Sequence, residues 1–353
     1  MLAPQSQVQA LSRWRRKRVL PVDGKVLVEP GDQVKSEDIL ARASLSRQHL
    51  MLDASKALGV PPSEVKALLQ RRVGEKIEKG AILAGRRRIA GRLLRAPADG
   101  RIAAISGGQI LLQVRDLSTE LNARIPGKVV EIEPNRGATI ECQGSWIQGV
   151  WGNGLFANGK LELLTDDPRH TLIVDEIDMN HRGAILIGGH CSLRQALELA
   201  NEVPVRGLVL GSIAASLIPV ARQMNYPILL SEGFGKIAMN QKTFELLESH
   251  AGEEATLNAL ESGGYEGQRP EIIIPQAGAV EDYVSLRAKE LISGQIVRGL
   301  RDPYQGVVGE ISTLLPAATL FQSGIRAQAA LVLLPDDSEV VIPLANLEIL
   351  VYN

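Results

Sequence analysis

The chain has 353 residues, 45% of them hydrophobic, with 34 Gly and 18 Pro, which fits about two to four turn-rich folded domains and excludes a disordered polymer. Aromatic residues make up 3%, too few for an extended stacking platform of the kind that holds single-stranded nucleic acid. The net charge of -1 hides an asymmetry: 20 Lys and Arg against 10 Asp and Glu in the first 100 residues, and 19 against 30 in the rest.

A basic amino-terminal third suggests an acidic partner, either nucleic acid or an acidic protein face. The same asymmetry also fits two halves of the chain that attract each other. No apolar run approaches the roughly 18 residues of a membrane span, so no such span is expected. Two cysteines, Cys142 and Cys191, and no apolar leader at the start point to a reduced, cytoplasmic setting.

In chain order, residues 1–18 are expected to form a basic amino-terminal tail whose first 12 residues are a mobile terminus. Its last six residues run Arg13-Trp14-Arg15-Arg16-Lys17-Arg18. Arg13, Arg15, Arg16, Lys17 and Arg18 suit contacts to phosphate backbones or anionic headgroups.

From Val19 the text becomes β-like and repeats itself. Val28-Glu29-Pro30-Gly31-Asp32-Gln33-Val34 leads to Ile39-Leu40-Ala41, and Arg72-Val73-Gly74-Glu75-Lys76-Ile77 leads to Ile82-Leu83-Ala84. Ala96-Pro97-Ala98-Asp99-Gly100 completes the pattern. On these phrases, residues 19–124 resemble the barrel-sandwich hybrid family, the biotinyl/lipoyl-like fold of carrier domains and adaptor subunits. The carrier role in that family needs a hairpin lysine flanked by Met or Asp, and no such phrase occurs here. Ser46 to Gln70 reads as a helical insertion, one helix through Leu50, Leu52, Ala57 and Leu58 to Gly59 and a second opening at Pro61-Pro62. Arg86, Arg87 and Arg88 surround the return strand and join the tail as candidate partner-binding residues.

Residues 125–168 read as a β-rich connector in which Trp146 and Trp151 are expected to staple a small core. Residues 169–290 then alternate apolar runs with amphipathic segments. Leu172–Ile177, Gly183–Gly189, Arg206–Ile213 and Pro227–Gly235 predict four strands of a small parallel α/β domain. Ligands of such sheets bind beyond the carboxyl ends of the strands. The candidate ligand residues are therefore Gly188, Gly189, His190, Ser212, Glu232, Gly233, Phe234, Gly235 and Lys236, with Ser192 as a helix cap. Glu232 and Lys236 act there on a ligand or pair with each other. Asp175, Glu176, Asp178, His181, His190 and Cys191 are metal-ligand types, but their spacing matches no metal motif, and no metal or cofactor is expected. No catalytic set is legible.

The last segment, residues 291–353, carries Arg301-Asp302-Pro303-Tyr304-Gln305-Gly306-Val307-Val308-Gly309-Glu310-Ile311 and Ser323-Gly324-Ile325-Arg326-Ala327 ahead of an apolar strand from Ala329. On these residues it resembles the KOW/SH3-like barrel of transcription elongation factors and ribosomal proteins, which bind RNA or proteins. The expected whole is a multidomain α/β plus all-β protein. Its expected function is that of a non-catalytic adaptor or assembly protein docking on a larger complex or nucleic acid. The alternative is an anion- or nucleotide-binding protein, or an enzyme, using the glycine turns of the α/β domain.

Overall fold

The segment expected to be a tail forms the longest strand of the protein, β1, from Gln5 to Val19. From Ser12 onward its burial has period two: Ser12, Trp14 and Arg16 face inward, while Arg15 and Lys17 face solvent. One apolar Trp among cations is enough to give this segment an inner face. The computed structural model describes residues 2–45, 49–85, 93–114, 117–260, 269–278 and 289–352.

The remaining strands of the main sheet are, in chain order, β2 (Gln33–Val34), β3 (Gly127–Glu133), β4 (Gly137–Gln148), β5 (Trp151–Gly152), β6 (Phe156–Leu163), β7 (Ala184–Cys191), β8 (Gly207–Ile213), β9 (Ile228–Phe234), β10 (Glu254–Asn258), β11 (Glu271–Pro275), β12 (Ile296–Gly299), β13 (Val308–Leu314), β14 (Ala329–Leu333), β15 (Glu339–Pro343) and β16 (Leu347–Tyr352). Side by side they run β5-β9-β8-β7-β6-β10-β11-β4-β1-β16-β12-β13-β14-β15, with β3 on β4 and β2 on β3. This is a β-rich protein built on one large mixed sheet with few helices. At its centre β1 lies antiparallel to β4 and parallel to β16, so the two ends of the chain are neighbours.

Strands β6 to β9 are parallel, edged by antiparallel β5 and β10. Alternate residues of the buried strands serve opposite layers, as a pleated strand requires. Leu186, Leu208 and Leu230 pack with Ala196, Leu197 and Ala200 of helix Arg194–Glu202. Ile185, Ile187, Val209 and Leu229 pack instead with Phe244 and Leu247 of helix Gln241–Ser249, which Asn240 caps as a side-chain acceptor.

Several expectations are corrected. The fourth parallel strand is β6, from the segment assigned to a connector, and not Leu172–Ile177, which holds a 3-10 turn at Val174–Glu176. Ser192 caps nothing; the helix starts after Leu193, which makes no side-chain cap. Leu50 and Leu52 lie in a strand, His49–Asp53, and only Ala54–Leu58 is helical before Gly59 closes the turn at φ 71°. The helix opened by Pro61-Pro62 runs from Pro62 to Leu68.

Residues 49–114 form a unit with its own core. A four-stranded sheet of His49–Asp53, Gln109–Val114, Gly100–Ser106 and Lys76–Ile77 and the two short helices enclose Val65, Leu83, Ile102, Ile110 and Leu112. Between this unit and β3, strand Leu117–Asn122 pairs with Ile39–Leu45, which also pairs with Lys25–Val26.

Candidate functional site

The carboxyl ends of β7, β8 and β9 bring His190, Ser212 and the Glu232–Lys236 loop together, but the glycine turns are not open turns. Gly188, Gly189 and His190 lie within β7, Ser212 within β8, and Glu232, Gly233 and Phe234 within β9. A Cβ at Gly189 would stand 2.2 Å from the His170 carbonyl oxygen, so this glycine is required by a backbone crossing. Gly235 sits at φ 103°, a conformation that only glycine adopts freely.

His190 Nδ1 is 2.9 Å from Ser212 Oγ, which also donates to the Ile237 carbonyl at 2.6 Å and accepts from the Ile237 amide at 3.1 Å. Burial, and then the charge of Lys236, hold the His190 imidazole below its usual value. A neutral imidazole, a hydroxyl and an exposed cation therefore share this end of the sheet. Phe234 meets Trp151 edge-on at 5.9 Å.

Glu232 is committed elsewhere. It pairs with Arg298 at 2.6 Å and accepts from the Asn240 amide at 3.1 Å, so the pairing with Lys236 is not made. Arg298, 4% exposed, also binds Glu348 and the Ser231 carbonyl, and Glu348 further pairs with Arg269. Gln305 donates to the Phe234 carbonyl at 3.3 Å, and a Cβ at Gly306 would meet Ile237. The carboxyl-terminal segment thus packs over the strand ends where a ligand of an open α/β sheet would lie.

One constellation escaped the sequence. Ser145 Oγ is 2.8 Å from His250 Nε2, and His250 Nδ1 is 3.1 Å from Glu253 Oε2, the order of a Ser-His-acid triad. Ser145 is fully buried in β4, and its hydroxyl donates to the Ala10 carbonyl. Ala10 lies in a bulge of β1, where the register steps from Ser12 opposite Gly144 to Gln9 opposite Trp146. The hydroxyl proton therefore satisfies a carbonyl left out of the ladder rather than being poised for His250 to remove. Residues more than 100 positions apart, placed by a bulge, leave no local motif to read.

The basic run is paired within the chain. Arg13 donates to Gln143, Arg15 to Glu141, Lys17 to Glu133, Arg16 to Glu271 and Arg18 to the Asn122 carbonyl. The expected tail is corrected to a strand, and β4 and its neighbours supply acceptors for its cations. Arg86, Arg87 and Arg88 lie outside the described residues. Trp146 stacks on Trp14 at 4.7 Å rather than sharing a core with Trp151. Both cysteines are free and buried, and burial, with Glu271 adding to it, pushes the Cys142 thiol far up. Among the described residues no group of three or more His, Cys, Asp or Glu is placed to hold a metal ion, and no helix is long and apolar enough to cross a membrane.

Further basic charge lies on the unit built from residues 49–85 and 93–114, whose described residues hold 8 Lys and Arg against 5 Asp and Glu. Lys56, Lys66, Arg72, Lys76, Lys79 and Arg101 are exposed on it. Lys76 and Arg101 stand directly opposite each other in an antiparallel pair. Like charges at such positions repel, and an anion brought from outside would relieve them. No family model matches this chain, and no curated protein matches it.

Proposed function

We propose that this protein is a non-catalytic adaptor whose basic unit, residues 49–114, docks on an acidic macromolecular surface, the phosphate backbone of a nucleic acid in a larger assembly. The observation that carries this reading is the exposed cross-strand pair of Lys76 and Arg101 in a unit of net positive charge. The resemblance of residues 19–124 to barrel-sandwich hybrid domains and of residues 291–353 to KOW/SH3-like barrels supports it, since both are chiefly recognition modules. The commitment of Ser145 to Ala10 and of Glu232 to Arg298 counts against chemistry at either polar cluster. A small-ligand role would fall to His190, Ser212 and Lys236.

Binding of the full chain to labelled duplex RNA and DNA, followed by fluorescence anisotropy across a salt series, tests the proposal. Affinity should fall linearly on a log–log plot with salt, by roughly 0.9 per phosphate contacted on duplex DNA. A Lys76→Glu/Arg101→Glu variant should bind at least about tenfold more weakly with a shallower slope. Unchanged binding by that variant removes this unit as the contact. Failure of the wild-type chain to bind either duplex at low salt ends the nucleic-acid reading and leaves a metabolite screen against Lys236→Ala as the next step.

A further inference from the structure

Four arginines from three separate stretches converge away from the strand ends and from the basic unit. Arg16 and Arg18 come from β1, Arg124 from the turn before β3, and Arg269 from the approach to β11. They line a cavity of about 10 Å³ together with Asn258 and Glu271. Arg124 holds a left-handed backbone at φ 59°, unusual for a residue with a side chain, and its guanidinium lies 5.2 Å from the Phe156 ring centre.

Among the described residues the acceptors around the cavity do not match the donors. Glu271 takes Arg16 Nη2 at 2.6 Å and Trp146 Nε1 at 2.8 Å on one oxygen, and Asn258 Nδ2 at 3.4 Å on the other. Arg18 Nη2 reaches only the Asn122 carbonyl, at 3.3 Å. Arg269 is taken by Glu348, which also serves Arg298. Among the described residues Arg16 Nε, Arg18 Nε and Arg124 Nη1 are buried with no acceptor, and Arg16 as a whole is 7% exposed. A buried guanidinium donor without an acceptor is costly, and buried like charges add to the cost. The electrostatics agree: burial first, then Arg124, lowers Arg18 to about 10 in spite of Glu271, and burial lowers Arg124 as well.

We propose that the cavity between Arg16, Arg18 and Arg124 binds one halide-sized monovalent anion, chloride in ordinary buffers, through these three guanidinium N–H groups. The room favours a small occupant. A space of about 10 Å³ admits one water-sized group, and a monatomic anion, with no substituents to seat, fills it with the least displacement of the surrounding side chains. Water would meet Asn258 Oδ1, which also lacks a partner, but would leave the cationic excess uncompensated. An anion here ties β1, the turn at Arg124 and the approach to β11 together, and binding only the folded state it raises stability by mass action.

The test uses the full chain at fixed pH and ionic strength, with sodium chloride or bromide replacing sodium gluconate. Tm should rise with halide and saturate; Arg124→Gln should abolish the rise, and Arg42→Gln, on an exposed ion pair elsewhere, should leave it intact. Crystals grown in bromide should show an anomalous peak between Arg16, Arg18 and Arg124, which decides the matter even if the Arg124 variant does not fold. Equal Tm in chloride and gluconate, a rise retained by Arg124→Gln, a saturable rise with sulfate but not halide, or a cavity holding water only would each overturn the proposal.

Discussion

Trp14 and Trp146 stack at 4.7 Å with 15° between their planes, both fully buried, yet their indole nitrogens differ. Trp146 Nε1 donates to Glu271 at 2.8 Å, whereas Trp14 Nε1 has no partner among the described residues. The aromatic face matters at both positions and the N–H at only one. Replacing either with Ala should cost about 3–5 kcal/mol. Trp14→Phe should cost clearly less than Trp146→Phe, because only the second strips a donor from a buried carboxylate, a loss of about 1–3 kcal/mol. Guanidinium unfolding of the four variants checks this; equal costs for the two Phe variants would show that the Trp146–Glu271 bond contributes nothing. Glu271 itself illustrates what the sequence withholds. It reads as the polar first residue of an apolar strand, but the fold makes it the shared acceptor of Arg16, Trp146 and Asn258.

At the scale of elements, β1 and β4 decide most of the architecture. Their pairing is interrupted by one bulge, and Ser145 closes it on the Ala10 carbonyl. Ser145→Ala should therefore lower stability by about 1–3 kcal/mol, the cost of leaving a buried carbonyl unsatisfied. The wild-type chain should not react with a fluorophosphonate probe of serine nucleophiles. Labelling at Ser145, seen by mass spectrometry, would instead make the Ser145-His250-Glu253 set catalytic. The apolar runs that became β7, β8 and β9 were legible because buried parallel strands are nearly continuous in apolar residues. β1 was not, since its inner face carries Ser12, Trp14 and Arg16 and its outer face is charged. A strand whose inward residues are a serine, a lone tryptophan and an arginine has the composition of a tail.

For the whole molecule, the unit of residues 49–114 keeps a core separate from those of the main sheet. The main sheet, by contrast, is joined at its centre by the pairing of β1 with β16 and tied by the buried charges of Arg298, Glu232, Glu348 and Arg269. Scanning calorimetry should therefore resolve at least two transitions, and Leu112→Ala, inside the small core, should shift only one of them, by about 2–5 kcal/mol. A single transition that moves as a whole with this substitution would mean that the unit is cooperative with the sheet.

Composition and local pattern by themselves marked the apolar runs of β7, β8 and β9 as strands and the helix opened by Pro61-Pro62, and they placed the positive charge early in the chain. These are properties of neighbours in sequence, set by period-two burial, turn glycines and helix caps. Only the tertiary structure decided which charges are free. It buried Arg16 against Glu271 and Glu232 against Arg298, and it left Lys76 facing Arg101 at the surface. The reason is physical: the strength of a charge depends on the dielectric and the partners around it, and both are supplied by residues distant in sequence, 255 positions for Arg16 and Glu271 and 66 for Glu232 and Arg298.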